Sequence, residues 1–466
     1  MAVEKMRTIS AILADFVLSL RYEDIPREHI EYGKMLMMDT FGVAMSCYGL
    51  PHAKAVRAAI RELGQGEGCT LWGSGEQARL ADAVLHNSCL IHGADYDDTH
   101  VASIIHPSAA VVAAAVTVGE HVGASGREMM TAIVAGWEIA VRLGLAAKGR
   151  FHDVGFHGTG IVSSFVCACV AGRLMGLDRQ TLINAMGICG SQSAALQEFL
   201  HDGSWTKKIH PGWGCHSALY ALSMAKHGFV GPAQVFEGGF GLWHTHCAGV
   251  DGLSEEMSDL GTVWHTPEIA FKMYPVCHMT HSFIDCVLEV LANERLTAQD
   301  IESVECRIES RCYHIVCSPE EAKKHPESDY MMRFSLPYIV AIAAIRGKVS
   351  PWEIDLKYAS DPQVVDLMQR VTCIADDEKR NPGYFPGWIK LTTRDGRVFV
   401  CDHRHELGTK ENPIKIENVI EKFRGNVDPF YTEEEIARMT DVIERFDTLE
   451  DAQELLDALR MNSHIN

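Results

Sequence analysis

Between His92 and Pro107 the chain reads His-Gly-Ala-Asp-Tyr-Asp-Asp-Thr-His-Val-Ala-Ser-Ile-Ile-His-Pro. Three carboxylates (Asp95, Asp97, Asp98) and three imidazoles (His92, His100, His106) thus share one short stretch. Apolar, helix-prone sequence flanks it, Leu80 to Ile91 on one side and Ala109 to Val118 on the other. Acid/base groups held against an apolar wall have displaced pKa values, a condition for proton-transfer chemistry. The competing reading is a solvated loop. Polar clusters in loops that join buried helices are often functional, so the stretch is read as a site on an apolar scaffold.

Three further stretches carry the same kinds of group. In Phe151-His-Asp-Val-Gly-Phe-His-Gly-Thr-Gly160, glycines surround His157 just ahead of a helix. Free N–H groups at a helix start attract anions, and glycine lets a ligand reach the backbone. The alternative is a glycine-rich turn with a solvated histidine. In His201-Asp-Gly-Ser-Trp-Thr-Lys-Lys-Ile-His-Pro-Gly212, Lys207 and Lys208 are expected in a loop, with His210 beside them and His216 in the next helix. Paired cations suit carboxylate recognition, and two surface lysines are the plainer alternative. Lys272-Met-Tyr-Pro-Val-Cys-His-Met-Thr-His281 places His278 and His281 where a cleft between domains would open. Histidines satisfied at a domain boundary are the alternative there.

Other chemistries fit poorly. No His-Glu-x-x-His zinc pattern, Gly-x-Ser-x-Gly elbow, P-loop or dinucleotide fingerprint is present. Asp95, Asp97 and Asp98 could bind a divalent ion, but no second acidic cluster completes such a site. Neither a metal nor another cofactor is therefore expected. The net charge of −20 over 466 residues argues against sequence-independent nucleic-acid binding and against an anionic membrane surface. A small anion in a locally basic pocket stays open. The 15 cysteines are scattered without metal-type pairs, and Cys167 and Cys169 lie inside an apolar run, as reduced core thiols do. The charged Met1 to Arg7 start is not followed by a signal-peptide core. The most apolar runs, 109–119 and 160–172, fall short of the roughly 20 residues a membrane span needs. The expected location is the cytoplasm or an organelle matrix.

Helices must position these groups. Apolar residues recur at helical spacing in His29 to Cys47 (with Asp39 among them), His52 to Leu63, Arg79 to Ile91, Arg127 to Leu145, Gly160 to Gly176, Asp178 to Gly187 and Gly212 to Gly228. Pro107 suits the first turn of the helix after the site stretch, and Cys69 to Trp72 reads as a short extended piece. Near residue 268 the texture changes. Ser303 to Ser310 alternates as a half-buried strand does, and Gly387 to Thr393 with Arg397 to Asp402 reads as a hairpin turning at Asp395-Gly396. Helices over Ser282 to Asn293, Phe334 to Arg346 and Pro362 to Arg370 interleave. After 407, helices return at Ile416 to Phe423, Thr432 to Phe446 and Leu449 to Leu459. The expectation is a mainly α protein. A large helical domain is built from residues 1–268 and 408–466, and a smaller α+β domain, 269–407, is inserted in it.

Taken together, the stretches resemble the MmgE/PrpD family, whose members include 2-methylcitrate dehydratase, cis-aconitate decarboxylase and iminodisuccinate epimerase. The Asp-Tyr-Asp-Asp-Thr…His-Pro run, Gly-Phe-His, Thr-Lys-Lys-Ile-His-Pro-Gly, Gly228 to Gly238 and Tyr-Pro…Thr-His carry the resemblance, which covers nearly the whole chain. It implies a helical domain with a smaller lid domain, a homodimer, and catalysis without a metal. It places the site on Asp95, Thr99, His106, His157, Lys207, His281 and Tyr313. The reading of the polar stretches themselves adds Lys208 and His278 as further substrate contacts. Two departures bear on the substrate. The Asp95 to His106 segment is one residue longer than in the animal decarboxylases, and Asp-Tyr-Asp-Asp-Thr differs from the Asp-Phe-Asn-Asp-Thr of 2-methylcitrate dehydratase.

The chemistry that unifies these expectations is proton transfer at a carbon next to a carboxylate, which needs a placed base and stabilisation of enolate-like charge. His106 is expected to move the proton with Asp95 orienting it, while Lys207, His157 and His281 neutralise a small anionic carboxylate substrate. A 2-methylcitrate dehydratase-like hydro-lyase is the first expectation, a cis-aconitate decarboxylase-like enzyme or a dicarboxylate epimerase the second. A non-catalytic carboxylate-binding protein and an Asp-rich magnesium lyase are the rivals. His106, His157, Lys207 and His281 should line one cavity between the domains.

Overall fold

The computed structural model describes residues 7–461 except Gln65, Glu67, Val250 and Pro382; residues 1–6 of the charged start lie outside it. The fold is mainly α. Helices Arg27–Cys47, Leu80–His92, Ser108–Val122, Gly126–Ala147, Gly158–Leu174 and Thr206–Lys226 pack against one another as the central body. Small side chains set their spacing. Ala113, Ala114 and Ala115 are fully buried, and a Cβ on Gly212 would stand 2.7 Å from the Leu85 carbonyl oxygen. Helices can approach this closely only where side chains are small. Helix Gly126–Ala147, expected over Arg127 to Leu145, is long and apolar enough to cross a membrane, but 94% of its most apolar window is buried in the protein interior.

Buried apolar side chains form two large clusters. One draws on residues from Ile9 to Phe271 and again from Val419 to Met461. The second runs from Val276 to Leu391, joined by Phe199 from the first part of the chain. It contains a four-stranded sheet. Strand Ile301–Ile308 pairs in parallel with Val371–Ala375 and antiparallel with Gly387–Thr393, which forms a hairpin with Val398–His403. Gly396 takes φ +88° at the hairpin turn, where a side chain would be strained. The parallel strand Val371–Ala375 had not been expected.

Helix Ile416–Val427 of the C-terminal segment lies against Arg27–Cys47. Its Lys422 makes a 2.5 Å ion pair with Asp39 and donates at 3.1 Å to the Tyr96 carbonyl, inside the site stretch. A second tie is the two-residue ladder of Thr99 and His100 with Ala270 and Ile269. It fixes the site stretch against the segment that leads into the second cluster.

Candidate active site

The acidic-histidine stretch lies between helices Leu80–His92 and Ser108–Val122, and its three carboxylates do three different things. Asp98 serves the fold: its Oδ1 accepts the Ser108 N–H at 3.2 Å and its Oδ2 the Ser108 hydroxyl, at the start of the next helix. Pro107 is the residue just before that helix rather than in its first turn. Burial holds the Asp98 carboxyl well above the usual range. Asp97 accepts from His92 Nδ1 at 2.7 Å. Asp95 faces the cavity. Its Oδ1 lies 2.6 Å from Lys207 Nζ and 3.3 Å from Lys272 Nζ, and Lys272 also donates to the Asp95 carbonyl. Burial pushes Asp95 upward, but the charges of Lys207, Lys272 and His106 outweigh it and hold the carboxyl well below its ordinary range. Asp95 (φ 51°) and Ile104 (φ 56°) both take left-handed backbone. Such strain in non-glycine residues concentrates at functional sites.

His106 is oriented from behind. Its Nδ1 lies 2.9 Å from the Asp98 carbonyl oxygen and 3.0 Å from Thr99 Oγ1, with Asp97 Oδ1 at 3.7 Å. A carbonyl can only accept, so Nδ1 carries the proton and Nε2 presents a lone pair. Nε2 is 4.0 Å from Asp95 Oδ1. The hydrogen bonds that fix the ring thus come from the Asp98 carbonyl and Thr99 rather than from Asp95, which the two lysines engage. Burial, then the nearby Lys207 and His92 working against Asp97, lowers His106 to about 3.

A cavity of about 580 Å³, counting its mouth, is lined by Asp95, Thr99, His106, His157, Lys207 and His278 among the residues singled out from sequence. His157 directly precedes helix Gly158–Leu174, stacked on His92 at 5.5 Å and with Nδ1 3.2 Å from His210 Nδ1. Gly160 serves close packing, since a Cβ there would come within 2.5 Å of the Ala195 Cβ, whereas Gly155 takes φ +90° with open space around it. Lys207 is in the first turn of helix Thr206–Lys226, which begins earlier than expected and carries Pro211 inside it. Both ring nitrogens of His278 are buried without a protein partner. Burial keeps His157 and His278 well below their ordinary pKa.

Three expected contacts fall outside this lining. His281 stands one layer back. Its Nε2 is 3.3 Å from the Val276 carbonyl, and its ring packs 4.6 Å from that of His278, which takes the cavity position instead. Lys208 follows Lys207 by one residue, about 100° around a helix, and its Nζ is bound to Asp329 at 2.8 Å. Tyr313 belongs to helix Ser310–Val316, where Ile315 faces the cavity; residues two apart on a helix point in nearly opposite directions.

Sequence reasoning missed Lys272, His152 and Gln197 as lining groups. Lys272 is fully buried. A lysine inside Ile269-Ala-Phe-Lys-Met-Tyr-Pro-Val was the available signal. An apolar wall completes the cavity, made by Ile104, Phe199, Leu200, Ile315, Phe334 and Phe385. Next to the cavity, His92, Asp97 and His106 offer ligand atoms within 4.8 Å of one another. The two Nδ1 atoms there already bond to Asp97 and to the Asp98 carbonyl, so a metal would have to break the contacts that orient His106. Two ammonium groups, an oriented imidazole lone pair and further neutral imidazoles beside an apolar wall can bind a polycarboxylate and move a proton on it.

The MmgE/PrpD N-terminal domain matches residues 11–252 and the MmgE/PrpD C-terminal domain residues 274–448. Among curated relatives, a cis-aconitate decarboxylase of Aspergillus terreus is 24% identical over 477 residues, covering 97% of this chain and 96% of the relative. The cis-aconitate decarboxylase of Mus musculus is 23% identical, covering 98% and 94%. A 2-methylcitrate dehydratase of Cupriavidus necator is 22% identical over 441 residues, covering 89% of each.

Proposed function

The chain belongs to the MmgE/PrpD family and is a lyase, and we propose that it acts without a metal on a small di- or tricarboxylate by proton transfer next to a carboxylate. The observation that carries this reading is the convergence of Lys207 and Lys272 on Asp95 Oδ1, at 2.6 and 3.3 Å, beside the free Nε2 of His106. The lysines neutralise substrate carboxylate charge, the neutral rings of His157 and His278 offer hydrogen bonds, and His106 exchanges a proton with the adjacent carbon. Two ammonium groups against the single carboxylate of Asp95 leave one positive charge uncompensated, and a buried charge is costly unless paired, which favours an anionic substrate. His281, Lys208 and Tyr313 act from behind the contact surface.

Between reactions, we favour decarboxylation of an aconitate-like substrate over the dehydration that the sequence motifs put first. The cis-aconitate decarboxylases align over nearly the full length of the chain. The apolar wall of Phe199, Phe334 and Phe385 suits a step in which a carboxylate charge leaves as neutral carbon dioxide. Proton NMR in deuterium oxide with cis-aconitate, citrate, 2-methylcitrate and iminodisuccinate separates the reactions. Cis-aconitate should yield a decarboxylated alkene carrying deuterium, at the same rate after EDTA treatment. A new alkene from 2-methylcitrate alone would favour the dehydratase. Activity restored only by added magnesium would overturn the metal-free reading.

A further inference from the structure

Outside the cavity, the second core cluster carries a convergence of sulfur and imidazole that the proposed reaction does not use. Helix His281–Glu294 lies on strands Gly387–Thr393 and Val398–His403. Cys286 and Glu289 are three apart on that helix, so they share a face. Cys401 and His403 are two apart on the edge strand, so they also share a face. The two faces meet. Gly387 pairs with His403 in the hairpin register, and a Cβ on Gly387 would clash with the Ser282 backbone at 2.7 Å. That close approach lets the Cys286 thiol donate to the Gly387 carbonyl at 3.5 Å. Ligand atoms of Cys286, Cys401 and His403 all lie within 4.8 Å of one another. His403 Nε2 is 2.7 Å from Glu289 Oε2.

We propose that Cys286, Cys401 and His403 form a binding site for a thiophilic divalent metal of the zinc class, with Glu289 as the partner of His403 or as a fourth ligand. In tetrahedral zinc sites with bonds of about 2.3 Å to sulfur and 2.0 Å to nitrogen, ligand atoms stand roughly 3.5–3.8 Å apart. Side-chain rotation closes the difference. Two sulfurs with one imidazole select zinc over magnesium and calcium, which need oxygen ligands. A carboxylate that accepts from a ligating histidine is a recurring support for such sites. The ion can enter, since the His403 side chain is 28% exposed and that of Glu289 48%. On binding, Cys286 and Cys401 each release a proton to solvent, and the two thiolates balance the dication.

The site would act as a clamp. Val398–His403 is the edge strand of the sheet, and a metal would tie its end to the helix that begins at His281, immediately after the cavity segment 278–280. The inference stands independently of the reaction assigned to the cavity.

The test is Co²⁺ titration of the full-length, reduced protein, read by its sulfur-to-cobalt charge-transfer absorption and by displacement with Zn²⁺. The histidine-carboxylate clusters His92–Asp97–His106 and His100–His265–Glu268 hold no sulfur and cannot give that band. Wild type should bind one equivalent with the band. Cys401→Ser should abolish it and His403→Gln should weaken zinc affinity at least tenfold. Cys373→Ser, which alters the separate thiol group around Cys306 and Cys317, should keep it. Should Cys401→Ser fail to fold, His403→Gln at the half-exposed position carries the test. No band in wild type, a band that survives Cys401→Ser, or a Cys286–Cys401 disulfide recovered in a non-reducing peptide map would each overturn the proposal.

Discussion

Two ammonium groups share one carboxylate oxygen at the cavity, and that sharing decides what each lysine contributes. Lys207 and Lys272 point to Asp95, whereas Lys208 is committed to Asp329. A charge-assisted hydrogen bond is worth about 1.5–3 kcal/mol, or roughly ten- to a hundredfold in affinity. Lys207→Ala and Lys272→Ala should each raise KM by that range. Lys208→Ala should leave KM nearly unchanged and lower stability instead, because Asp329 loses its partner. Steady-state kinetics on the three variants, beside urea denaturation, checks this. A KM effect confined to Lys208→Ala would mean that substrate binds elsewhere. The same scale shows what sequence could and could not supply. Asp95, His106, His157 and the lysine pair were legible because residue type and local spacing marked them, whereas Thr99, and Lys207 over Lys208, came from the family resemblance. Choosing His278 over His281, or Ile315 over Tyr313, depends on a helix's rotational phase, which a short polar motif does not fix.

At the scale of elements, the site stretch is held by parts of the chain remote in sequence. Lys422, on helix Ile416–Val427, reaches the Tyr96 carbonyl and Asp39 at once. Burial drives Asp39 up and Lys422 down, each against the attraction of the other. Breaking a buried pair from one side costs about 3–5 kcal/mol. Lys422→Met should therefore destabilise by that amount, and the double variant with Asp39→Asn should recover part of it. Equilibrium denaturation measures both, and a loss below about 1 kcal/mol for Lys422→Met would show that the pair does not brace the site. The helices were legible from their period, and Asp39 was visible as a lone charge in an apolar helix. Its partner, some 380 residues away, was not. The two-residue ladder of Thr99–His100 with Ile269–Ala270 is too short to leave a pattern, yet it brings Lys272 to Asp95. Lys207, expected in a loop, lies instead in the first turn of a helix that continues through Pro211.

At the scale of the whole molecule, the cavity draws its lining from both core clusters: His106 and His157 from the helical part, His278, Ile315 and Phe385 from the part that holds the sheet. Relative movement of the two would open and close it, and we propose that a polyanion favours the closed form, which presents all the cations together. The same burial sets a pH dependence. His86 and His152 are lowered to about 4, and His106 and His210 to about 3. Their unfolded value is about 6.5. Only the unfolded chain takes up these protons between the two values, so stability is full above about pH 6.5 and falls as pH drops toward 4. Urea melts from pH 7.5 to 4.5 should show it, and a flat profile would contradict the buried neutral histidines.

The central claim is that His106 moves a proton at a carbon next to a carboxylate, and the direct measurement is deuterium transfer by wild type and His106→Gln. Both are incubated with cis-aconitate in deuterium oxide and followed by proton NMR, with substrate affinity measured separately by calorimetry. The account predicts a rate of carbon-bound deuterium appearance at least about a hundredfold lower in the variant, with affinity changed only a few-fold because Lys207 and Lys272 remain. Deuterium transfer at the wild-type rate in a folded His106→Gln protein would contradict it.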